Sequence, residues 1–143
     1  MTPHVKDLHG YFITLNQSNA LLLPVIWQKS TCMETLLWLD DERDPSDERW
    51  SSYFPIESPR IVWVRSYTEF VDWIDANSLP SAICFDHDLG DGPSGMDAAK
   101  WLTEYCLDGN SKLPAWSIQS ANPIGKKNIE ALLTSFARAT DST

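Results

Sequence analysis

Two apolar runs in this chain stop abruptly in carboxylates. Leu36-Leu37-Trp38-Leu39 leads into Asp40-Asp41-Glu42-Arg43, and Ser81-Ala82-Ile83-Cys84-Phe85 leads into Asp86-His87-Asp88-Leu89-Gly90. Carboxylates gathered in one place repel unless a hard cation sits among them. Mg²⁺ takes one or two of them directly and completes its shell with water and phosphate oxygen. Asp40, Asp41, Asp86 and Asp88 are therefore the candidate ligands for Mg²⁺ or Mn²⁺. Aspartates at strand ends also cap turns, and for one pair alone that is the better reading. Two strands ending this way favour a metal or phosphate site.

A third run, Ser117-Ile118-Gln119-Ser120-Ala121-Asn122-Pro123-Ile124-Gly125, ends in short polar groups and then opens a helix. A helix start offers free N–H groups and the positive end of its dipole. Ser120, Asn122 and, just inside that helix, Lys126 are candidates to hold phosphate oxygens. Arg43 can clamp a phosphate bidentately or pair with Asp44 or Asp47. His87 is a candidate general acid or base, although strand alternation turns its side chain away from Asp86 and Asp88. Gly90, Gly92 and Gly95 let the backbone turn tightly beside these groups.

These groups need a scaffold that delivers strand ends to one edge. From Met33 onward the sequence alternates strand and helix signals. Strands are expected at Thr35–Asp40, Arg60–Arg65, Ser81–Phe85 and Ala115–Gln119. Ser66 with Glu69, and Ser94 with Asp97, have helix-capping spacing. Phe70, Val71 and Ile74 form one apolar helical face, and Met96, Ala99, Leu102 and Cys106 a second. Ile129, Leu132, Leu133 and Phe136 form a third. Continuous apolar strands alternating with amphipathic helices argue a parallel sheet flanked by helices. In an open sheet of this kind, sites form outside the carboxyl ends of the strands, at the switch point between the first and third.

The chain has 143 residues and a formal net charge of −9, without a basic stripe, so duplex DNA is not an expected partner. A nucleotide or an RNA end remains compatible, because a metal can supply positive charge. Three cysteines at Cys32, Cys84 and Cys106 fit no zinc spacing and suit a reducing cytoplasm. The longest apolar run, residues 20–27, contains Pro24 and is far shorter than a membrane span. Residues 41–60 carry acids and three prolines without helical period, and read as a long ordered loop near the site. Residues 1–32 match no element; they read as an appended, poorly ordered arm or a start placed too early. Residues 33–143 then form the domain.

The three blocks resemble a response-regulator receiver domain. In that family an acid pair holds Mg²⁺, the strand-three Asp accepts a phosphoryl group, and a Ser or Thr contacts the phosphate. The resemblance puts those roles on Asp40 and Asp41, Asp86, and Ser120. The fuller resemblance is to a receiver offshoot, the cyclic-phosphate processing receiver-like domain. It is carried by Leu39-Asp40-Asp41-Glu42-Arg43-Asp44-Pro45, Asp86-His87-Asp88-Leu89-Gly90 and Ser120-Ala121-Asn122-Pro123-Ile124-Gly125, within about residues 33–138. It implies an α/β, flavodoxin-like fold with about four parallel strands in the order 2-1-3-4 and helices on both faces; the last strand–helix unit of a receiver is not expected, because the sequence leaves no room for it after strand four. It also implies metal-dependent hydrolysis of cyclic phosphate, such as 2′,3′-cyclic ends of RNA or nucleotides.

Two departures matter. No fifth strand brings the receiver lysine, and Lys126 or Lys127 is a weak replacement. Gln119 stands where the offshoot shows His, and a glutamine cannot shuttle a proton. If that His is the family's acid or base, either the chain is impaired or His87 serves in its place. Two other readings stay open: a phospho-accepting receiver or phosphate sensor on Asp86, and an acidic, non-catalytic binding or regulatory protein.

Overall fold

Leu36 through Leu39 and Ala82 through Phe85 are fully buried, residue after residue. Strands inaccessible on both sides belong inside a parallel sheet, where crossovers cover both faces. The computed structural model bears this out. It describes residues 33–142 and, before them, three short strands, β1 (His4–Lys6), β2 (Tyr11–Thr14) and β3 (Ile26–Lys29). Those three form an antiparallel sheet in the order β1-β2-β3. The sequence pattern offered no element there, because runs of three or four residues are too short for alternation to register. The expected arm or early start at residues 1–32 otherwise falls outside the described residues. By its contacts the chain divides into Met1–Met33 and Glu34–Thr143.

The second unit holds a four-stranded parallel sheet of β4 (Thr35–Leu39), β5 (Arg60–Val64), β6 (Ala82–Phe85) and β7 (Ala115–Ile118). Its order is β5-β4-β6-β7, which is 2-1-3-4 counted within the sheet. Among the described residues there is no fifth strand–helix unit. Helices α1 (Tyr67–Asn77), α2 (Gly95–Asp108) and α3 (Pro123–Asp141) follow β5, β6 and β7 in turn. Ser66 caps α1, its hydroxyl accepting from the Glu69 N–H. Ser94 and Asp97 form a reciprocal capping box on α2. Asn122 caps α3 ahead of Pro123, whose missing N–H costs nothing in the first turn.

The two faces of the sheet are covered differently. Leu37, Leu39, Ile83 and Phe85 pack with Phe70 and Ile74 of α1, Ala98 and Leu102 of α2, and Ile129 and Leu133 of α3. The alternate residues Leu36, Trp38, Ala82 and Cys84 meet Trp50, Phe54 and Ile56 instead. Those three come from the 41–60 segment, whose only helical turn is the 3₁₀ stretch Glu48–Tyr53. So the α-helices share one face, where helices were expected on both, because the looped segment after β4 takes the place of a first helix and closes the other. Cys84 and Cys106 are buried free thiols. Burial pushes Cys84 up to about 12, which makes it an inert core residue. Among the described residues no helix is long and apolar enough to cross a membrane.

Candidate metal and phosphate site

Register builds the site. Leu39 pairs with Val64 on one side and Phe85 on the other, and Phe85 pairs with Ile118. The next row of the sheet therefore sets Asp40, Asp86 and Gln119 side by side. Their backbone N–H groups continue the ladder, Asp40 to Val64 O at 3.1 Å, Asp86 to Leu39 O at 2.9 Å and Gln119 to Phe85 O at 2.9 Å. Alternation aims these side chains to the side of Trp38, Cys84 and Ser117, the face that the looped segment closes. All three are buried, at 0%, 3% and 2% exposure.

Asp40 is saturated. Its Oδ1 accepts from the Glu42 and Arg43 N–H groups, each at 2.8 Å. Its Oδ2 accepts from Arg43 Nη1 at 3.2 Å and from Gln119 Nε2. Four donors match the roughly four lone-pair positions a carboxylate offers. Asp86 accepts from the His87 N–H at 2.8 Å and from Arg43 Nη1 at 3.4 Å, and the Ser120 side chain bonds to it as well. Burial and the neighbouring Asp40 charge raise Asp86 to about 6, against the opposing pull of Arg43, Ser120 and the His87 amide. Asp41 differs from both, since among the described residues no donor meets its carboxylate. It faces Gly90, where a Cβ would stand 3.3 Å from Asp41 Oδ2.

Oxygen atoms of Asp40, Asp41 and Asp86 lie within 4.8 Å of one another. Three hard oxygen donors at that spacing, one of them without a partner, suit a divalent cation of the Mg²⁺ kind. Beside them opens a cleft of about 340 Å³, lined by Asp41, Glu42, Arg43, Asp86, Asp88, Gly90 and Ala121. Burial works against the charge on Arg43, but the hydrogen bond to Asp40 and the charges of Asp40, Asp86 and Glu42 outweigh it. Its pKa is held above the ordinary value.

The expected residues thus separate into groups. Asp40, Asp41, Asp86 and Arg43 come together, and Ser120 joins them through Asp86. Asp88 lines the cleft but is not in the three-carboxylate cluster. Its Oδ1 lies 3.0 Å from His87 Nδ1. That bond first, with Asn122 behind it, draws its pKa below the usual range against slight burial. The His87 ring packs over the start of α3, where a Cβ on Gly125 would lie 2.3 Å from it. Asn122 Nδ2 lies 3.5 Å from His87 Nδ1, while Asn122 Oδ1 accepts from the Gly125 N–H at 2.9 Å. Lys126 stands half-buried on the first turns of α3, apart from the residues lining the cleft. Gly95 admits the start of α2 against the site, since a Cβ there would meet the Asp86 carbonyl oxygen at 1.7 Å.

Sequence reasoning treated Gln119 only as a departure from a pattern. Its role as donor to Asp40 spans 79 positions. The one local signal was a polar residue at the position that follows β7. Trp50 was missed too; the Arg43 guanidinium lies 5.4 Å from its ring centroid, a cation–π contact.

Residues 35–135 match the cyclic-phosphate processing Receiver domain. The chain belongs to that family. No curated protein matches it. Nine chains of known structure do. One, described as the yeast Spc42 trimeric coiled coil, amino acids 181–211, in a fusion, is 15% identical, with 78% of each chain covered and a TM-score of 0.50. At that identity the likeness speaks for the fold alone.

Proposed function

We propose that this protein is a divalent-metal-dependent phosphoesterase that opens cyclic phosphates, such as the 2′,3′-cyclic phosphate ends of RNA or nucleotides. The observation that carries this reading is the convergence of Asp40, Asp41 and Asp86 within 4.8 Å, in a chain of the cyclic-phosphate processing family. Asp41 and Asp86 would hold Mg²⁺ or Mn²⁺, with Asp40 and Asp88 adding charge from behind and from the cleft wall. The ion would polarise a phosphoryl oxygen and make a bound water more acidic.

The chain's own groups complete the chemistry. Ser120 stands at Asp86 and is a hydroxyl donor for a phosphate oxygen. Arg43 is a bidentate donor at the cleft wall, and Asn122 and Lys126 add polar and positive groups from the start of α3. His87, whose Nδ1 lies 3.0 Å from Asp88 Oδ1, is the group placed for proton transfer to a leaving oxygen. Gln119 takes no proton and keeps Asp40 in place. The expected setting is a cytoplasm with RNA repair or nucleotide metabolism.

The test is hydrolysis of 2′,3′-cyclic nucleotides and of oligoribonucleotides with cyclic-phosphate ends, with Mg²⁺, with chelator, and with Asp86→Asn. Turnover that needs the metal and vanishes in the variant supports the enzyme. Metal binding without turnover on any of these substrates overturns it in favour of a sensor or phospho-acceptor, which acid-labile phosphate on Asp86 would then identify.

A further inference from the structure

Arg43 occupies an unusual place for a residue meant to meet substrate. It lies three positions after Asp40, and its main chain is pinned at both ends. The N–H donates to Asp40 Oδ1 at 2.8 Å, and the carbonyl accepts from Trp38 Nε1 at 2.9 Å. The side chain folds back so that one nitrogen, Nη1, bridges Asp40 Oδ2 at 3.2 Å and Asp86 Oδ2 at 3.4 Å. Trp50 supports it in the cation–π contact.

A divalent cation seated between these carboxylates meets that guanidinium. Asp40 has four donors already. Gln119, 2% exposed, cannot withdraw without stranding a buried amide. The Glu42 and Arg43 N–H groups belong to the turn itself. The Arg43 side chain is the one donor free to leave: it is 27% exposed, its bonds to both acids are long, and the cleft lies beside it.

We propose that Arg43 is the resident counter-ion of the acid cluster, and that a divalent cation and the Arg43 guanidinium compete for Asp86. The proposal rests on the metal reading above and deepens it. Without metal, Arg43 offsets the repulsion between two buried carboxylates. When a cation takes Asp86, the guanidinium is released into the cleft, a rigid fork suited to a phosphate oxygen pair. One residue then stabilises the metal-free fold and is freed for phosphate only when the metal is in place.

The experiment is calorimetric titration of Mn²⁺ alone into the full chain, as wild type, Arg43→Gln and Arg43→Lys, with thermal melts in chelator and in saturating Mn²⁺. Arg43→Gln should bind Mn²⁺ about tenfold more tightly than wild type, the effect expected when a like charge within a few ångström is removed. It should melt below wild type in chelator and gain more from the metal. Arg43→Lys keeps the charge but carries it on a shorter side chain without the guanidinium fork. It should fall between the two, and it serves as the folded comparison if Arg43→Gln does not fold. Binding equal to or weaker than wild type in a folded variant overturns the competition and leaves the metal reading standing. Binding in Arg43→Gln alone supports the competition outright. No binding in any of the three overturns both.

Discussion

The two faces of the parallel sheet solve the same burial problem by different means. On one, α1, α2 and α3 press Phe70, Ile74, Leu102, Ile129 and Leu133 onto Leu37, Leu39, Ile83 and Phe85. On the other, a segment with one 3₁₀ turn sets Trp50, Phe54 and Ile56 onto Leu36, Trp38 and Cys84. The helical face satisfies its own backbone and needs only apolar contact. The looped face has no helix to do so and is tied down by side chains: Trp38 Nε1 to Arg43 O at 2.9 Å, Trp63 Nε1 to Asp40 O at 2.7 Å, and Ser117 Oγ to Tyr53 O. Two of these ties land on Asp40 and Arg43, members of the site. The expectation is that the helical face carries most of the stability and the looped face the positioning of the site.

Truncation of the helical core should have the largest effect. Phe70→Ala removes a fully buried ring that meets Phe85 and Trp101, and should cost about 3–5 kcal/mol in denaturant unfolding. Metal affinity of the protein that remains folded should be unchanged. A large loss of affinity there would break the division of labour.

Next comes Asp86→Asn. On the proposed function it lowers turnover by at least about 100-fold, near 3 kcal/mol of barrier, with no loss of metal-free stability. A variant that unfolds instead would mean that Asp86 is structural.

Trp38→Phe is a sharper probe of the looped face. It deletes the donor to Arg43 O and leaves a modest cavity, for about 1–3 kcal/mol of stability. It should also shift Mn²⁺ affinity, which Phe70→Ala should not. Equal affinity in both variants would erase the contrast.

A last effect, spread over a pH range, is in the pH dependence of the metal-free protein. Asp86 is raised from 3.8 to about 6, so the fold favours its neutral form. That contribution is fully present below the ordinary pKa and is lost as pH rises through about 6. Melts between these limits should show wild type losing stability relative to Asp86→Asn as pH increases. Parallel curves would mean that Asp86 carries no such shift.

Much of this was legible in one dimension. An apolar run that stops in Asp40-Asp41 or in Asp86 announces a buried strand and its exit, because the hydrophobic effect ends where the chain meets water. Ser66 and Ser94 announced helix starts, because a capping bond spans only three residues. The family blocks lie in sequence order and matched as a family. Local chemistry, read locally, was enough for the parallel strands and for the carboxylates at their ends, but not for the strands β1 to β3 or for the face the helices take.

What only the tertiary structure decided is which of those groups touch. Asp86 and Asp88 look equivalent in sequence, yet one turns into the cluster and the other toward His87 and α3, because Gly95 and Gly125 let two helix starts close on the turn between them. Gln119 reaches Asp40 only through sheet register, and Arg43 folds back on both acids only because the looped segment lies against that face. Register and packing are sums over many distant contacts. No window of sequence contains them, so the strand ends were readable while their partners were not.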